Sequence, residues 1–105
     1  MTNYVLLYTG GGGVPQTEAE QAAVMAAWGA WMGGMGESLV DGGNPFSGVK
    51  SIASDASVSD GPVGVMASGY SIIQADSYDA AVEIAKGCPI LQGGGQVSVY
   101  ETFQM

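Results

Sequence analysis

Asp60 has the most favourable setting for acid–base chemistry in this chain, because Gly61 and Pro62 follow it directly. A carboxylate held in a rigid turn beside a cleft can act as a general base when partial desolvation raises its pKa. The same side chain can instead accept hydrogen bonds from the amides of its own turn, which is a purely structural role. Asp60 is therefore the candidate catalytic and ligand-binding residue, and both roles stay open.

Aromatic side chains are the second set of candidates. Tyr8 and Tyr70 fall in predicted strands and could present hydroxyl groups to a ligand, although sheet aromatics also serve packing and interfaces. Trp31, with Trp28 one helical turn before it, could line a ligand pocket. The same spacing also suits a helix that packs on the core. We predict a ligand site formed by Asp60, Tyr70, Tyr8 and Trp31.

Most other catalytic and metal-binding sets cannot be assembled from this composition. The chain has no His, a single Cys at position 88, and two basic residues, Lys50 and Lys86. Ser–His and Cys–His pairs and four-ligand Cys/His zinc sites are therefore excluded. Cys88 is expected to be unreactive, because it follows the negative end of a predicted helix, which disfavours a thiolate. We predict no metal and no cofactor.

The charge balance restricts the partners. Ten acidic residues against two basic ones give a net charge of -8, which repels phosphate backbones and anionic membranes. We therefore expect neither nucleic acid nor a membrane as a partner. Glycine runs at 10–13 and 93–95 lack the Gly-Lys-Ser/Thr ending of a phosphate loop and are predicted to be flexible connections.

Length and composition predict one soluble domain over residues 1–105. A chain of 105 residues with 47% hydrophobic residues can bury a single core. Its uncharged stretches are interrupted by Gly, Ser and Asp, so none has the pattern of a membrane span. The first ten residues have no basic segment before their short apolar run, so we expect no secretory signal and a cytoplasmic location.

Local patterns predict four strands and two helices in the order βαββαβ. The strands are rich in β-branched and aromatic residues and are separated by Gly, Pro, Asn and Asp. The second helix is capped by Asp76 or Ser77 and ended by Gly87, expected in a left-handed conformation, and Pro89. The predicted strands are 3–9, 49–54, 68–75 and 96–105.

The first helix is predicted to begin near residue 18. Thr17 and Glu20 have the spacing of a capping box. Several glycines between residues 29 and 36 either weaken the last turns or allow close backbone packing. The buried face is predicted from apolar steps of four, three and four residues, at Val24, Trp28, Trp31 and Met35.

The element order predicts a ferredoxin-like α+β sandwich, in which two helices cover one face of an antiparallel sheet. Leu6 and Leu7 must point to opposite faces of the first strand, as must Ile72 and Ile73 in the third. Apolar side chains therefore lie on both faces, although the two helices can cover only one. We predict a homodimer in which the uncovered sheet faces pack together.

Five segments in a fixed order characterise the chain: YVLLY at 4–8, the two tryptophans followed by GESLVDGGNPF at 36–46, DGP at 60–62, SGYSIIQADSYDAA at 68–81 and the Gly-x-Pro helix stop at 87–89. In these segments the chain resembles the YCII-related family, including its DGPF-domain branch, over nearly its whole length. That family forms dimeric α+β barrels from ferredoxin-like subunits, so the resemblance implies the same assembly here. The His and Asp pair that the resemblance implies for the YciI-like branch cannot be carried over, because this chain has no His.

Three functions follow as hypotheses. The first is a small dimeric YCII-like protein that binds a small neutral or cationic organic molecule in a cleft near the Asp60-Gly61-Pro62 loop. The second is a cofactor-free lyase, hydrolase or oxygenase with Asp60 as general base. The third is an accessory protein whose assembly is itself the function. Fold analogy does not choose among them.

Overall fold

A computed structural model describes residues 1–10 and 17–104 of the chain. The protein is α+β, as predicted, and the connection predicted at 11–13 lies outside the described residues. No helix among them is long and apolar enough to cross a membrane. The elements are β1 (Thr2–Thr9), α1 (Glu18–Met35), β2 (Leu39–Asp41), β3 (Lys50–Ile52), β4 (Val58–Asp60), β5 (Ala67–Ala75), α2 (Tyr78–Ala85) and β6 (Gln96–Glu101), with 3₁₀ turns at Gly36–Ser38 and Pro89–Gly93.

Four strands form the main sheet in the order β2-β5-β1-β6, and every neighbouring pair is antiparallel. The central strand β1 pairs on both sides, so that Val5 lies opposite Ile72 of β5 and Tyr100 of β6. Strands β3 and β4 form a separate two-stranded sheet, a hairpin closed at residues 53–57. The main sheet is therefore the platform on which both helices pack.

The strand predicted at 49–54 is only partly correct. Lys50–Ile52 is a strand, but it pairs with β4 and not with the main sheet. The place next to β5 belongs instead to the three residues of β2, which none of the predicted strands included. Pairing partners are chosen by tertiary contacts, which a three-residue strand does not encode in its own pattern.

The core lies between the main sheet and the helices. Alternate residues of β1 and β5 are buried on the helix side of the sheet, as the period of two requires. Trp28, Trp31 and Met35 pack against this core from α1, as predicted. The predicted stripe is wrong at Val24, because residues 18–26 are all exposed and the first half of α1 extends beyond the core. The buried apolar side chains are Tyr4, Leu6, Tyr8, Ile73, Ala75, Ala81, Ala85 and Cys88.

The structure confirms the predicted cap at Thr17 and, of the two candidates Asp76 and Ser77, makes Ser77 the cap of α2. Thr17 Oγ1 accepts a hydrogen bond from Glu20 N at 3.0 Å, and Ser77 Oγ accepts one from Ala80 N at 3.1 Å. Each cap satisfies a backbone donor that the helix itself leaves without a partner. The two helix starts are therefore fixed by local chemistry.

Gly87 differs from its prediction. It is not among the glycines with positive φ, so the expected left-handed conformation is wrong. A Cβ at this position would lie 3.2 Å from Trp31 Cδ1, and Trp31 Nε1 donates to Ile84 O at 3.0 Å. Gly87 therefore lets the Trp31 indole reach the end of α2, whereas the glycines inside α1 have open space around them and serve no such contact.

Neither helix of the described chain covers the other side of the main sheet. Its side chains alternate with the buried ones along β1, β5 and β6 and are partly or largely exposed. The prediction that Leu6 and Leu7 point to opposite faces is confirmed, since Leu6 is buried with the helices and Leu7 is only half-buried. We call the apolar surface formed by Val5, Leu7, Tyr70, Ile72 and Tyr100 the open sheet face.

Candidate functional site

A cavity of about 420 Å³ opens between α1 and the main sheet. Tyr8 and residues 68–71 form its sheet side, Trp28 and Met32 form its helix side, and residues 42–45 close one flank. None of the described residues that line it has a charged side chain. The volume is in the range of small-molecule sites, which are mostly apolar with a few polar groups.

Tyr8 and Ser71 place a chain of hydroxyl groups in the wall of this cavity. Tyr8 Oη donates to Ser71 Oγ at 2.7 Å, and Ser71 Oγ donates to the carbonyl oxygen of Gly42 at 2.8 Å. Both side chains are buried, with 5% of Tyr8 and none of Ser71 exposed. Burial raises the pKa of Tyr8 to about 12, so its hydroxyl is protonated at neutral pH.

The loop after β2 is held tightly against β5. The backbone N–H of Gly43 donates to Asp41 Oδ1 at 2.8 Å, and Phe46 N donates to Ser68 O at 2.8 Å. Gly43 has a φ of 73°, and a Cβ there would lie 1.7 Å from Tyr70 O. Only glycine fits this backbone contact, so the loop forms a fixed wall of the cavity.

Trp28 lines the cavity, whereas Trp31 is not among its lining residues. The Trp28 ring makes edge contacts with Tyr8, at a centroid distance of 5.2 Å, and with Trp31, at 5.7 Å. Trp31 directs its indole N–H to the end of α2. The two tryptophans thus share the aromatic cluster, with Trp28 next to the cavity and Trp31 behind it.

Tyr70 borders the cavity but does not place its ring beside Tyr8. Its neighbours Gly69 and Ser71 are buried on the helix side of β5, so the Tyr70 side chain lies on the open sheet face. There its ring stacks on Phe46 at a centroid distance of 5.7 Å and an angle of 18°. The structure therefore separates the two tyrosines of the predicted site.

Asp60 lies at the end of β4, outside the cavity lining. Its Oδ1 accepts from Lys50 Nζ at 2.8 Å, and its side chain is 89% exposed. Gly61 and Pro62 border a second, wider depression, which is formed by residues 46–49 and by residues between 61 and 68 and does not include Asp60. A general base needs a partly desolvated carboxylate, and this setting does not provide one.

Carboxylates and the thiol form no metal site among residues 1–10 and 17–104, where no three such groups lie close enough to share an ion. Asp55 Oδ1 accepts from Ser57 N at 2.9 Å and Ser57 Oγ at 2.7 Å, and these hydrogen bonds lower its pKa. Cys88 is buried beside Tyr8, and its burial raises the pKa of the thiol. Neither group is thereby prepared for metal binding or nucleophilic attack.

Sequence reasoning missed Ser71 and residues 42–45. Ser71 is the one polar side chain among the fully buried residues of the described chain. The signal was present, because Ser71 shares a strand face with Ile73 and must therefore point into the core once β5 is assigned. The loop gave no such signal, since its position depends on the pairing of β2 with β5.

No family model matches this chain, and no curated protein is significantly similar to it. The function is therefore argued from the cavity and the surfaces around it.

Proposed function

We propose that this protein binds a small, neutral, largely apolar organic molecule in the cavity between α1 and the main sheet. The observation that carries the proposal is the composition of the wall, where aromatic and aliphatic side chains surround the buried hydroxyl chain of Tyr8 and Ser71. Burying a charged ligand without a counter-charge is costly, and the lining supplies none. A cationic ligand is therefore a weaker candidate than a neutral one.

We also propose a YCII-related, ferredoxin-like subunit with an inserted hairpin. When β3 and β4 are set aside, the remaining elements follow the order βαββαβ. The β5–α2–β6 unit places its two strands on either side of β1, which is the split arrangement of that fold. Sheet order and helix placement support this assignment.

The proposed assembly is a homodimer that buries the open sheet face of each subunit. A standard interface hides about 800 Å² per partner, a little over half of it apolar. At about 25 cal/mol per Å² this contributes on the order of 10 kcal/mol per subunit before the costs of association. An accessory role, in which the assembly itself is the function, would rest on the same face.

The ligand proposal is tested by a thermal-shift screen of neutral metabolites. A ligand present at 100 times its Kd adds about 2.7 kcal/mol to the stability, which raises the Tm of a domain this small by several degrees. In Met32→Trp the larger side chain fills the cavity, whereas Met25→Trp places the same ring at an exposed position of α1.

The two variants separate the outcomes. A ligand that stabilises the wild type and Met25→Trp but not Met32→Trp supports binding in the cavity. A ligand that stabilises both variants equally binds elsewhere and contradicts the proposal. A broad library of neutral compounds that yields no ligand contradicts it as well.

A further inference from the structure

We propose that the cavity selects ligands that donate a hydrogen bond, because its buried hydroxyl chain presents only an acceptor to the ligand. The inference rests on the proposed function and adds the chemical class of the ligand: a neutral, apolar body that carries one N–H or O–H group.

The direction of the hydroxyl chain is fixed by the backbone. A carbonyl oxygen can only accept, so the Ser71 hydroxyl must give its single proton to Gly42 O, 2.8 Å away. Ser71 Oγ then has no proton left for Tyr8, and the 2.7 Å contact between them requires Tyr8 to donate. The single proton of Tyr8 is used within the protein, and its oxygen keeps only the capacity to accept.

Protonation and the neighbouring polar groups do not reverse this direction. Burial keeps the pKa of Tyr8 at about 12 and raises that of the neighbouring Cys88 thiol, so both groups stay neutral near pH 7. Cys88 also makes a side-chain hydrogen bond with Tyr8; its neutral thiol can only donate weakly to Tyr8 Oη, which leaves a second lone pair of that oxygen for a ligand. Ser68 Oγ, also at the wall, gives its proton to the carbonyl oxygen of Tyr8 at 3.2 Å. Asn44 also lines the cavity, and its side-chain amide can donate, but it is exposed to solvent. The hydroxyl groups of the wall therefore offer acceptors and no free proton.

The other residues that line the cavity determine which chemical groups of the ligand fit around its N–H or O–H group. Trp28, Met32, Pro45 and Ile90 provide a largely apolar, partly aromatic surface, in which the indole N–H of Trp28 is the polar side-chain group. The selection therefore applies at the hydroxyl chain itself. A carbonyl compound would bring its lone pairs against those of Tyr8, and a carboxylate would lie there without a counter-charge. A ligand N–H or O–H instead completes the chain from ligand to Tyr8, Ser71 and Gly42.

Isothermal titration calorimetry with indole and indene tests the selection, since the two molecules share a shape and differ in an N–H against a CH₂. We expect the wild type to bind indole about fivefold more tightly than indene, the value of one ordinary hydrogen bond. Tyr8→Phe removes the acceptor and should bind both equally. Tyr100→Phe, which removes a hydroxyl on the open sheet face, should keep the preference.

Ser71→Ala gives a second and sharper test. Without Ser71 Oγ the proton of Tyr8 keeps only the weakly accepting sulfur of Cys88 as a side-chain partner, so the hydroxyl can turn to donate to a ligand as well as accept from one. We expect the affinity for indanone, which carries a carbonyl acceptor, to rise about fivefold relative to indene in this variant and not in the wild type.

Failure of the inference is distinguishable from failure of the proposed function. If the wild type binds indole and indene equally, the cavity binds small molecules but does not select donors, and the inference is wrong. The same holds if Ser71→Ala leaves the indanone preference unchanged. If no probe binds at millimolar concentration and the metabolite screen is also empty, the proposed function fails, and the inference with it.

Discussion

Gly43 makes the tightest backbone contact beside the cavity, and its replacement is the clearest test of the site geometry. A Cβ here would lie 1.7 Å from Tyr70 O, and the φ of 73° is unfavourable for any other residue type. We expect Gly43→Ala to lower the free energy of unfolding by about 3 kcal/mol or more, since both a clash and backbone strain are introduced. Urea denaturation measures this change.

Gly33→Ala is the matched control for that measurement. Gly33 lies inside α1 and is exposed, and a Cβ added there would meet no atom within 4 Å beyond the backbone of its own helix. Replacing a helix glycine by alanine stabilises by about 0.5 to 1 kcal/mol. If Gly43→Ala were as stable as the wild type while Gly33→Ala behaved as expected, the loop would not lie against β5 as described.

We predict that the protein loses stability at high pH because the pKa of Tyr8 is raised in the folded state. Its pKa is about 12 in the folded protein and near 10 for an ordinary tyrosine, so the unfolded chain releases this proton first as the pH rises. The stabilisation is complete below pH 10, as set by the unfolded value, and is lost progressively as the pH rises towards 12. Urea denaturation between these limits should show a shallower decline for Tyr8→Phe, and parallel declines would contradict the raised pKa.

Elements were predictable where their signals are local. The caps at Thr17 and Ser77 depend on atoms three residues apart, and both were found from the sequence. The pairing of β3 with β4 and the contact of Gly87 with Trp31 depend on residues far apart or on the choice of a partner strand, and both were missed. Tertiary contacts decide such features, and single-sequence patterns do not contain them.

Residues of the candidate site, too, were predictable only where their signal is local. Tyr8 was found because its strand is strongly patterned, and it lines the cavity. Asp60 was chosen for its turn-like neighbours, but the structure gives it a place in β4 and an ion pair with Lys50. The side of β5 on which Ser71 lies could be inferred from its strand, but its hydrogen bond with Tyr8 depends on the register of β5 against β1, which a single strand pattern does not contain.

The hairpin of β3 and β4 is expected to be the least stable element of the sheet structure. Two-stranded hairpins are marginal in water, and the six residues of these strands are exposed except for the partly buried Ser51. Ala56 at its tip has a φ of 74°, which costs about 1 kcal/mol in a residue with a Cβ. Hydrogen exchange should therefore protect the hairpin amides far less than those of β1 and β5.

Ala56→Gly provides the matching variant. Glycine adopts positive φ without strain, so the hairpin amides should exchange more slowly than in the wild type while β1 and β5 are unchanged. Wild-type hairpin amides as protected as those of β1 would contradict an independent, weak hairpin. Such protection would mean that the hairpin is covered in the assembled protein.

The molecule as a whole is flat. Its extents are 44 × 40 × 19 Å, and its radius of gyration of 15.2 Å exceeds the roughly 13 Å of a compact domain of this length. One sheet whose described helices lie on a single side has this shape. The open sheet face is therefore partly exposed, with Tyr100 more than half exposed, and a second copy is the proposed cover.

Ile72→Lys tests the proposed dimer interface. Ile72 lies opposite Val5 at the centre of the open sheet face. The wild type should sediment at micromolar concentration with twice the 10.6 kDa mass of the chain. In the variant a lysine can extend into water in the monomer but would be buried without a partner charge in the dimer, so we expect a folded monomer. Met25→Lys adds the same charge at a 74% exposed position of α1 and should remain dimeric. A wild type that sediments at 10.6 kDa, or an Ile72→Lys variant as dimeric as Met25→Lys, would show that this face is not the interface.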